Sequence, residues 1–494
     1  MIGILRPEHA ISADRHEQGL RRLVVEAAFS STATVLTSGV ILMAYAMALR
    51  ASNLTIGLLA SAPFLCQLLQ IPAVFLVERF RARKAIAVLS SVVGRAMLAV
   101  MALAAFVPAS LSMPFLLTGQ FVLCAMGAVG GCAWNAWLRD MVPPDRLGGI
   151  IARRTGWASV VTLVCGLMAA LMLDDVGRNG GPRAFALLYA AGCATGMVSA
   201  AIVARIPEPE MDATEAASPN MLSRLVEPLR DLNFRALIRF LVSWQFAINL
   251  STPFFTVFLI RQLGYSMTFV MMLTVTSQLA NLAVLRAWGT LSDRFAHKSV
   301  MSVAAPVYIL SIGGMIGASQ MADGVFRSVY LIGLHLLMGV AVAGVTLATT
   351  SIALKLSPRQ NAPAYIATAA TFSALAAGIA PILGGAAADF FQQRRLEVTI
   401  LWQSPSGSTP FQPFALTSWD FYFAIGVVLG IYALHRLSAV REEGEIERGE
   451  LLAQFIHQTR RSVRNLSTVA GLRASTELPA ALFGRRSPKA GSQE

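Results

Sequence analysis

The chain has 494 residues, of which 55% are hydrophobic and 14% charged, with a mean hydropathy of +0.61, a balance that excludes an ordinary water-soluble enzyme. The formal charge of +13 is spread through short segments between apolar runs, which excludes a nucleic-acid binder and reads as orientation signal and contact with anionic lipid of the inner leaflet. All five cysteines, Cys66, Cys124, Cys132, Cys165 and Cys193, sit inside apolar runs without CxxC spacing, so neither disulfides, metal nor any cofactor is expected.

Residues 1–22 are polar, end in Arg21-Arg22 and lack the layout of a cleaved signal peptide; they predict a cytoplasmic segment. Apolar runs of about 20 residues, enough to cross a bilayer as helices, then predict six spans at 24–48, 55–77, 85–107, 113–136, 155–173 and 184–204, a bundle over 23–205. Glu26 opens the first span, either as a proton carrier for coupling or in a local salt bridge with Arg21-Arg22. The loop after the second span reads Glu78-Arg79-Phe80-Arg81-Ala82-Arg83-Lys84. Arg95 lies about ten residues into the third span, about 15 Å deep. A permanent charge there needs a carboxylate, carbonyls or an anionic substrate. Gln120 is the polar residue of the fourth span, whose inner end carries Trp134 and Trp137 as expected interface anchors. The loop that follows holds Asp140, Pro143 and Arg146.

A polar linker over 206–235, containing PEPEMDATEAASPN, leads to a second bundle over 236–440 with spans at 236–260, 268–290, 299–319, 327–354, 364–388 and 420–438. Gln245 and Asn249 share one face of the seventh span, ahead of Pro253, and Gln278 and Asn281 lie on the eighth. These amides either line a water-filled cavity or bond between helices. The loop after the eighth span reads Gly289-Thr290-Leu291-Ser292-Asp293-Arg294-Phe295-Ala296-His297-Lys298, and the one after the tenth holds Pro358 and Arg359. His335, in the tenth span, is a coupling candidate because imidazole titrates near neutral pH, or else a histidine bonded to a neighbouring helix. The eleventh span reads Gly378-Ile379-Ala380-Pro381-Ile382-Leu383-Gly384-Gly385, a pattern that lets helices bend or approach closely. A long external loop is expected over 392–417. The tail at 441–494 carries Leu452, Phe455 and Ile456 with Arg460, Arg461 and Arg464 between later apolar positions, a basic amphipathic helix. It would lie on the leaflet, pack against the cytoplasmic gate or bind a partner.

Loops on one side carry about 16 Lys and Arg against about 7 on the other, which places both termini in the cytoplasm. The step along the chain from Glu78 to Asp293 equals the step from Pro143 to Pro358. Two landmarks with one offset indicate an internal duplication. On these loops the chain resembles the major facilitator superfamily, whose signature between the second and third helices is approximately G-x-L-x-D-R-x-G-R-K. Gly289, Leu291, Asp293, Arg294 and Lys298 match it, whereas the first copy has Glu78 for Asp and Arg81 for Gly.

The resemblance implies an all-α membrane protein with twelve transmembrane helices in two pseudo-symmetric six-helix bundles. It also implies a multi-pass protein of a bacterial-type inner membrane, with a cavity between helices 1, 4, 7 and 10. It further implies that Glu78 meets the start of the eleventh helix near Ala364, and Asp293 the start of the fifth near Thr155. With Arg79, Arg83, Asp140, Arg146, Gly289, Arg294, Lys298 and Arg359 these would form a gate that exists only while the cytoplasmic side is closed; the simpler reading is that the charges hold loops at the interface. No nucleotide-binding loop of the GxxxxGK[ST] kind is present. The expectation is a monomeric secondary transporter, not an enzyme, that moves a small polar or anionic solute by alternating access. The alternative is a transporter-fold scaffold that docks through its tail.

Overall fold

The computed structural model describes residues 7–8, 11–211, 226–359, 361–404, 407–416, 418–445 and 448–466. Lipid offers no partner for a free amide, so each crossing satisfies its own backbone hydrogen bonds as a helix. Passes 3 to 6 run Arg83–Leu103, Ala109–Met141, Pro144–Gly180 and Pro182–Ala204, and passes 8 to 12 run Met267–Arg294, His297–Gln320, Val325–Lys355, Ala362–Phe391 and Ser418–Ser438. Pass 1 joins Ala13–Thr37 to Gly39–Ala48 at Gly39, whose φ of +57° costs glycine little. It starts well before the apolar run, because residues 13–22 continue the same helix.

Pass 2 joins Asn53–Gln67 to Gln70–Phe80 through a 42° bend. Pro72 has no N–H to return to the Leu68 carbonyl, so the helix breaks one turn before it. Pass 7 runs through Leu232–Ser251, Pro253–Val257 and a π-helical turn at Phe258–Gln262; here Pro253 removes the bond to Asn249. Among the described residues ten helices are long and apolar enough to cross a membrane, and the bent pass 2 makes eleven. Pass 7 completes the twelve, although Arg235, Arg239, Gln245 and Asn249 lower its hydropathy.

The same pairs of passes pack in each half. Pass 3 lies against 4 and 6, pass 1 against 5 and 6, and pass 2 against 4; likewise pass 9 lies against 10 and 12, pass 7 against 11 and 12, and pass 8 against 10. A shift of six passes maps one set onto the other, as a duplicated bundle requires. Between the halves, the Asn53–Gln67 part of pass 2 packs on pass 11, and pass 5 packs on pass 8. The end of the bundle that carries the loops after passes 2, 4, 6, 8 and 10 is called the near end below, and the opposite one the far end.

One feature departs from the sequence reading. The segment expected as a loop after pass 11 is an antiparallel hairpin, with β1 (Leu396–Ser404) paired to β2 (Gly407–Leu416) from Leu396↔Leu416 to Ser404↔Gly407. The Ser-Pro-Gly content falls on the turn and on β2, while Leu396-Glu397-Val398-Thr399-Ile400 carries the apolar-polar alternation of a strand. The tail helix, Arg448–Leu466, packs on passes 8 and 9 at the near end. Leu451 is fully buried and Phe455 stacks on Trp288 with ring centroids 4.0 Å apart, while Leu452 and Ile456 stay exposed. The linker at 212–225, the side chains of 460–466 and the tail from 467 onward lie outside the described residues.

Candidate functional site

A cavity of about 520 Å³ opens inside the N-terminal half, lined by Glu26 and Ser30 of pass 1, Arg95 of pass 3, Gln120 and Trp134 of pass 4, and Arg154 of pass 5. Each charged group in it is held by a different pass. Arg95 donates from Nη2 to Ser30 Oγ at 3.0 Å, and its stem crosses Gly196, where a Cβ would stand 2.6 Å from Arg95 Cδ. Glu26, only 5% exposed, pairs with Arg154 at 3.1 Å and accepts from Ser199 Oγ at 3.0 Å. It is not in a local bridge with Arg21-Arg22; Arg22 instead donates to the Arg205 carbonyl. Arg154 also lies over the Trp134 ring, 5.6 Å from its centroid. Two guanidiniums against one carboxylate leave the cavity net positive, and a surplus positive charge inside a membrane bundle attracts an anion.

The near end holds two further clusters that resemble each other. At the start of pass 3, the Arg83 side chain is buried and bonds Asp140 at the end of pass 4, Glu208 after pass 6 at 3.3 Å, and the Pro209 carbonyl at 2.8 Å. The Arg83 backbone N–H also donates to Glu208, at 2.8 Å. At the start of pass 9, the Lys298 N–H donates to Glu442 after pass 12 at 2.8 Å, and Lys355 at the end of pass 10 meets the same carboxylate at 2.9 Å. The offset that carries Glu78 onto Asp293 also carries Arg83 onto Lys298 and Asp140 onto Lys355. The two backbone caps sit at equivalent helix starts, although the carboxylates that make them, Glu208 and Glu442, are not related by that offset. Burial pushes the Glu208 carboxyl above the usual carboxylate range. Burial acts on Glu442 in the same direction, but bonds from His297, Lys355 and two backbone N–H groups outweigh it and hold that carboxyl at about 2.

Residues 27–321 and 236–470 match the family model of the Major Facilitator Superfamily. The chain belongs to this superfamily. No curated protein matches it by sequence, but solved structures share its fold. The nucleoside transporter NupG, as its D323A mutant, matches with a TM-score of 0.65 at 12% identity, covering 86% of this chain and all 100% of its own. A bacterial homologue of the human lysosomal transporter Spinster, inward-facing and unoccupied, gives 0.57 at 16% identity, covering 97% of this chain and 100% of its own. The inward-open xylose transporter XylE from E. coli gives 0.59 at 12%, covering 89% and 99%.

The superfamily signature behaves differently from its expected closed form. Glu78 and Asp293 are exposed, and among the described residues neither bonds to the helix starts near Ala364 or Thr155. Beyond the 42° bend the Gln70–Phe80 part of pass 2 packs on pass 4, while the packing on pass 11 is made by Asn53–Gln67. Arg79 and Arg359 are exposed, Arg146 pairs with Glu17 at 3.0 Å, and Arg294 lies over Phe295 at 5.3 Å. Gly289 faces open space.

The remaining polar candidates scatter. Gln120 is 4% exposed, and its Nε2 bonds only Cys124 Sγ, at 3.4 Å. Gln278 lines a separate gap of about 280 Å³ between the halves, beside Arg154 and Thr155. Asn249 donates to the Gln245 carbonyl at 2.8 Å, so that pair bonds itself within pass 7. Asn281 is half-buried and lines neither cavity, and His335 Nδ1 bonds the Leu331 carbonyl of its own helix at 2.9 Å. Of the two tryptophans expected at the interface, Trp137 is fully buried and donates to the Pro207 carbonyl at 3.2 Å, while Trp134 lines the cavity. The sequence reading missed Arg154 and Ser199. Arg154 falls one residue before the expected fifth span and so reads as a loop charge, and Ser199 looks like any small residue of an apolar helix.

Proposed function

We propose that the protein is a secondary transporter that moves a small anionic solute through the Arg95 cavity by alternating access. The observation that carries this reading is a cavity inside a membrane bundle lined by two guanidiniums, Arg95 and Arg154, and a single carboxylate, Glu26, each from a separate pass. A charge fixed at membrane depth is costly, so a surplus positive charge there favours a solute that neutralises it. Glu26, which lines the cavity, is the coupling candidate nearest the solute; His335 is remote from it. In this reading the near end faces the cytoplasm with both termini, the membrane is the bacterial-type inner one, and the protein works as a monomer in contact with anionic lipid.

A thermal-shift screen of small anions, neutral solutes and cations against the purified protein tests the solute class, followed by uptake into liposomes. Anions are expected to raise the melting temperature, and Arg95→Gln to abolish that rise and the uptake while the amount of folded protein is retained. Stabilisation by neutral or cationic solutes alone, or equal loss of fold and uptake in Arg95→Gln, would overturn the anionic reading.

A further inference from the structure

At the far end, two aspartates tie each half to a helix of the other. Asp389 ends pass 11 and accepts from the backbone N–H groups of Asn53 at 3.1 Å and Leu54 at 2.9 Å, the first residues of pass 2. Asp174 near the end of pass 5 accepts from the N–H groups of Met267 at 2.8 Å and Thr268 at 2.7 Å, the first residues of pass 8. The step from Asp174 to Asp389 is the repeat offset of the near-end signatures, the one that joins Glu78 to Asp293. The two contacts are images of one another.

The backbone accounting shows why these carboxylates matter. A helix start leaves four N–H groups without an intrahelical partner. In pass 2 the Ser52 hydroxyl takes the N–H of Thr55 at 3.2 Å, and the helix's own bonds begin with the N–H of Ile56 to the Ser52 carbonyl at 3.0 Å. In pass 8, Ser266 does the same for Phe269 at 3.2 Å and Val270 at 3.2 Å. The first two N–H groups of each helix thus depend on an aspartate of the opposite half, and a negative charge is favoured at that position by the helix dipole. One side carries an addition: Arg261 of pass 7 donates to Asn53 Oδ1 at 3.2 Å and to the Ala51 carbonyl at 2.8 Å. The repeat offset places Ala46 where the second half has Arg261, so the Asp174 side has no such clamp.

We infer that Asp174 and Asp389 are the paired locks of the far-end gate: they hold the far end closed, and both release their helix starts when it opens. They are positioning residues, acting through the relation of the two halves. The inference rests on the alternating-access reading but not on the solute, and its test uses none, so failure to find an anionic solute leaves it standing.

The test is double electron–electron resonance on the full chain in lipid nanodiscs, with the five native cysteines replaced. One label pair at Leu111→Cys and Val325→Cys spans the far end, and one at Phe80→Cys and Leu354→Cys spans the near end; all four sites are exposed. Asp→Asn at either lock keeps the size but turns one acceptor into a donor facing an N–H. Each single variant is expected to raise the ratio of far-end-open to far-end-closed molecules by about tenfold, the scale of one charge at a helix N-terminus. The double variant should exceed either single one. Near-end distances should shorten together with the far-end lengthening. Ser52→Ala and Ser266→Ala remove caps made within one half and should leave the ratio unchanged. Unchanged distances in both folded single variants, or an equal shift in the serine variants, would overturn the inference.

Discussion

Gly385→Ala isolates the packing that closes the far end. A Cβ at Gly385 of pass 11 would stand 2.3 Å from the Asn53 carbonyl oxygen and 2.8 Å from Leu54 Cα of pass 2. Both are backbone atoms, so no rotamer change relieves the clash, and the two helices must separate by about 1 Å to reach ordinary contact. Overpacking of this kind costs about 1–3 kcal/mol. Because the clashing atoms belong to opposite halves, the cost falls on the far-end-closed state alone, which is a shift of about 5- to 150-fold in its population. Gly339→Ala supplies the contrast: its Cβ would lie 2.1 Å from the Ser277 carbonyl oxygen, within one half. That variant should lower the melting temperature in both states without changing their ratio. Hydrogen–deuterium exchange of peptides covering Asn53–Leu54 and Met267–Thr268 reads the far end directly, because those N–H groups lose their acceptors when it opens. Faster exchange is expected in Gly385→Ala at both peptides. Equal exchange in the two glycine variants would refute the reasoning.

Glu442 makes stability depend on acid. Its folded value of about 2 lies below the ordinary 4.5, so its contribution is present above 4.5 and is lost as the pH falls toward 2. Melting temperatures in detergent should fall over that window and flatten in Glu442→Gln; the same slope in both proteins would remove Glu442 as the cause. Arg83→Ala leaves Glu208 buried without its cation and should cost about 3–5 kcal/mol, seen as loss of monodisperse protein and partly restored by adding Glu208→Ala. Wild-type melting of Arg83→Ala would count against the buried pair. His335→Gln should leave the pH profile of transport unmoved, since the ring is tied to its own helix; a displaced profile would return His335 to coupling.

Much of the architecture is open to reading from local pattern. Apolar runs separate passes because a lipid-exposed backbone has no other way to satisfy itself. The glycines of the eleventh span announce close approach, and Gly385 indeed meets the Asn53 backbone while Gly378 meets Leu65. The same offset that links Glu78 to Asp293 also links Asp174 to Asp389, but an aspartate at a span end looks like any solvated loop residue, so nothing local singles out the far-end pair. The hairpin at Leu396–Leu416 escapes the sequence reading because its pairing is made outside the apolar periodicity that marks the passes.

Hydropathy, charge and the repeat by themselves determined twelve passes, two related halves and the near-end signature loops, since each is a property of residues close in sequence. Only the tertiary structure decided that Glu26 faces Arg154, 128 residues away, that Asn249 serves Gln245 instead of the cavity, and that the far end is closed. The last could not be read locally for a physical reason: an alternating-access protein has one sequence and two packings, and the choice between them lies in contacts between halves.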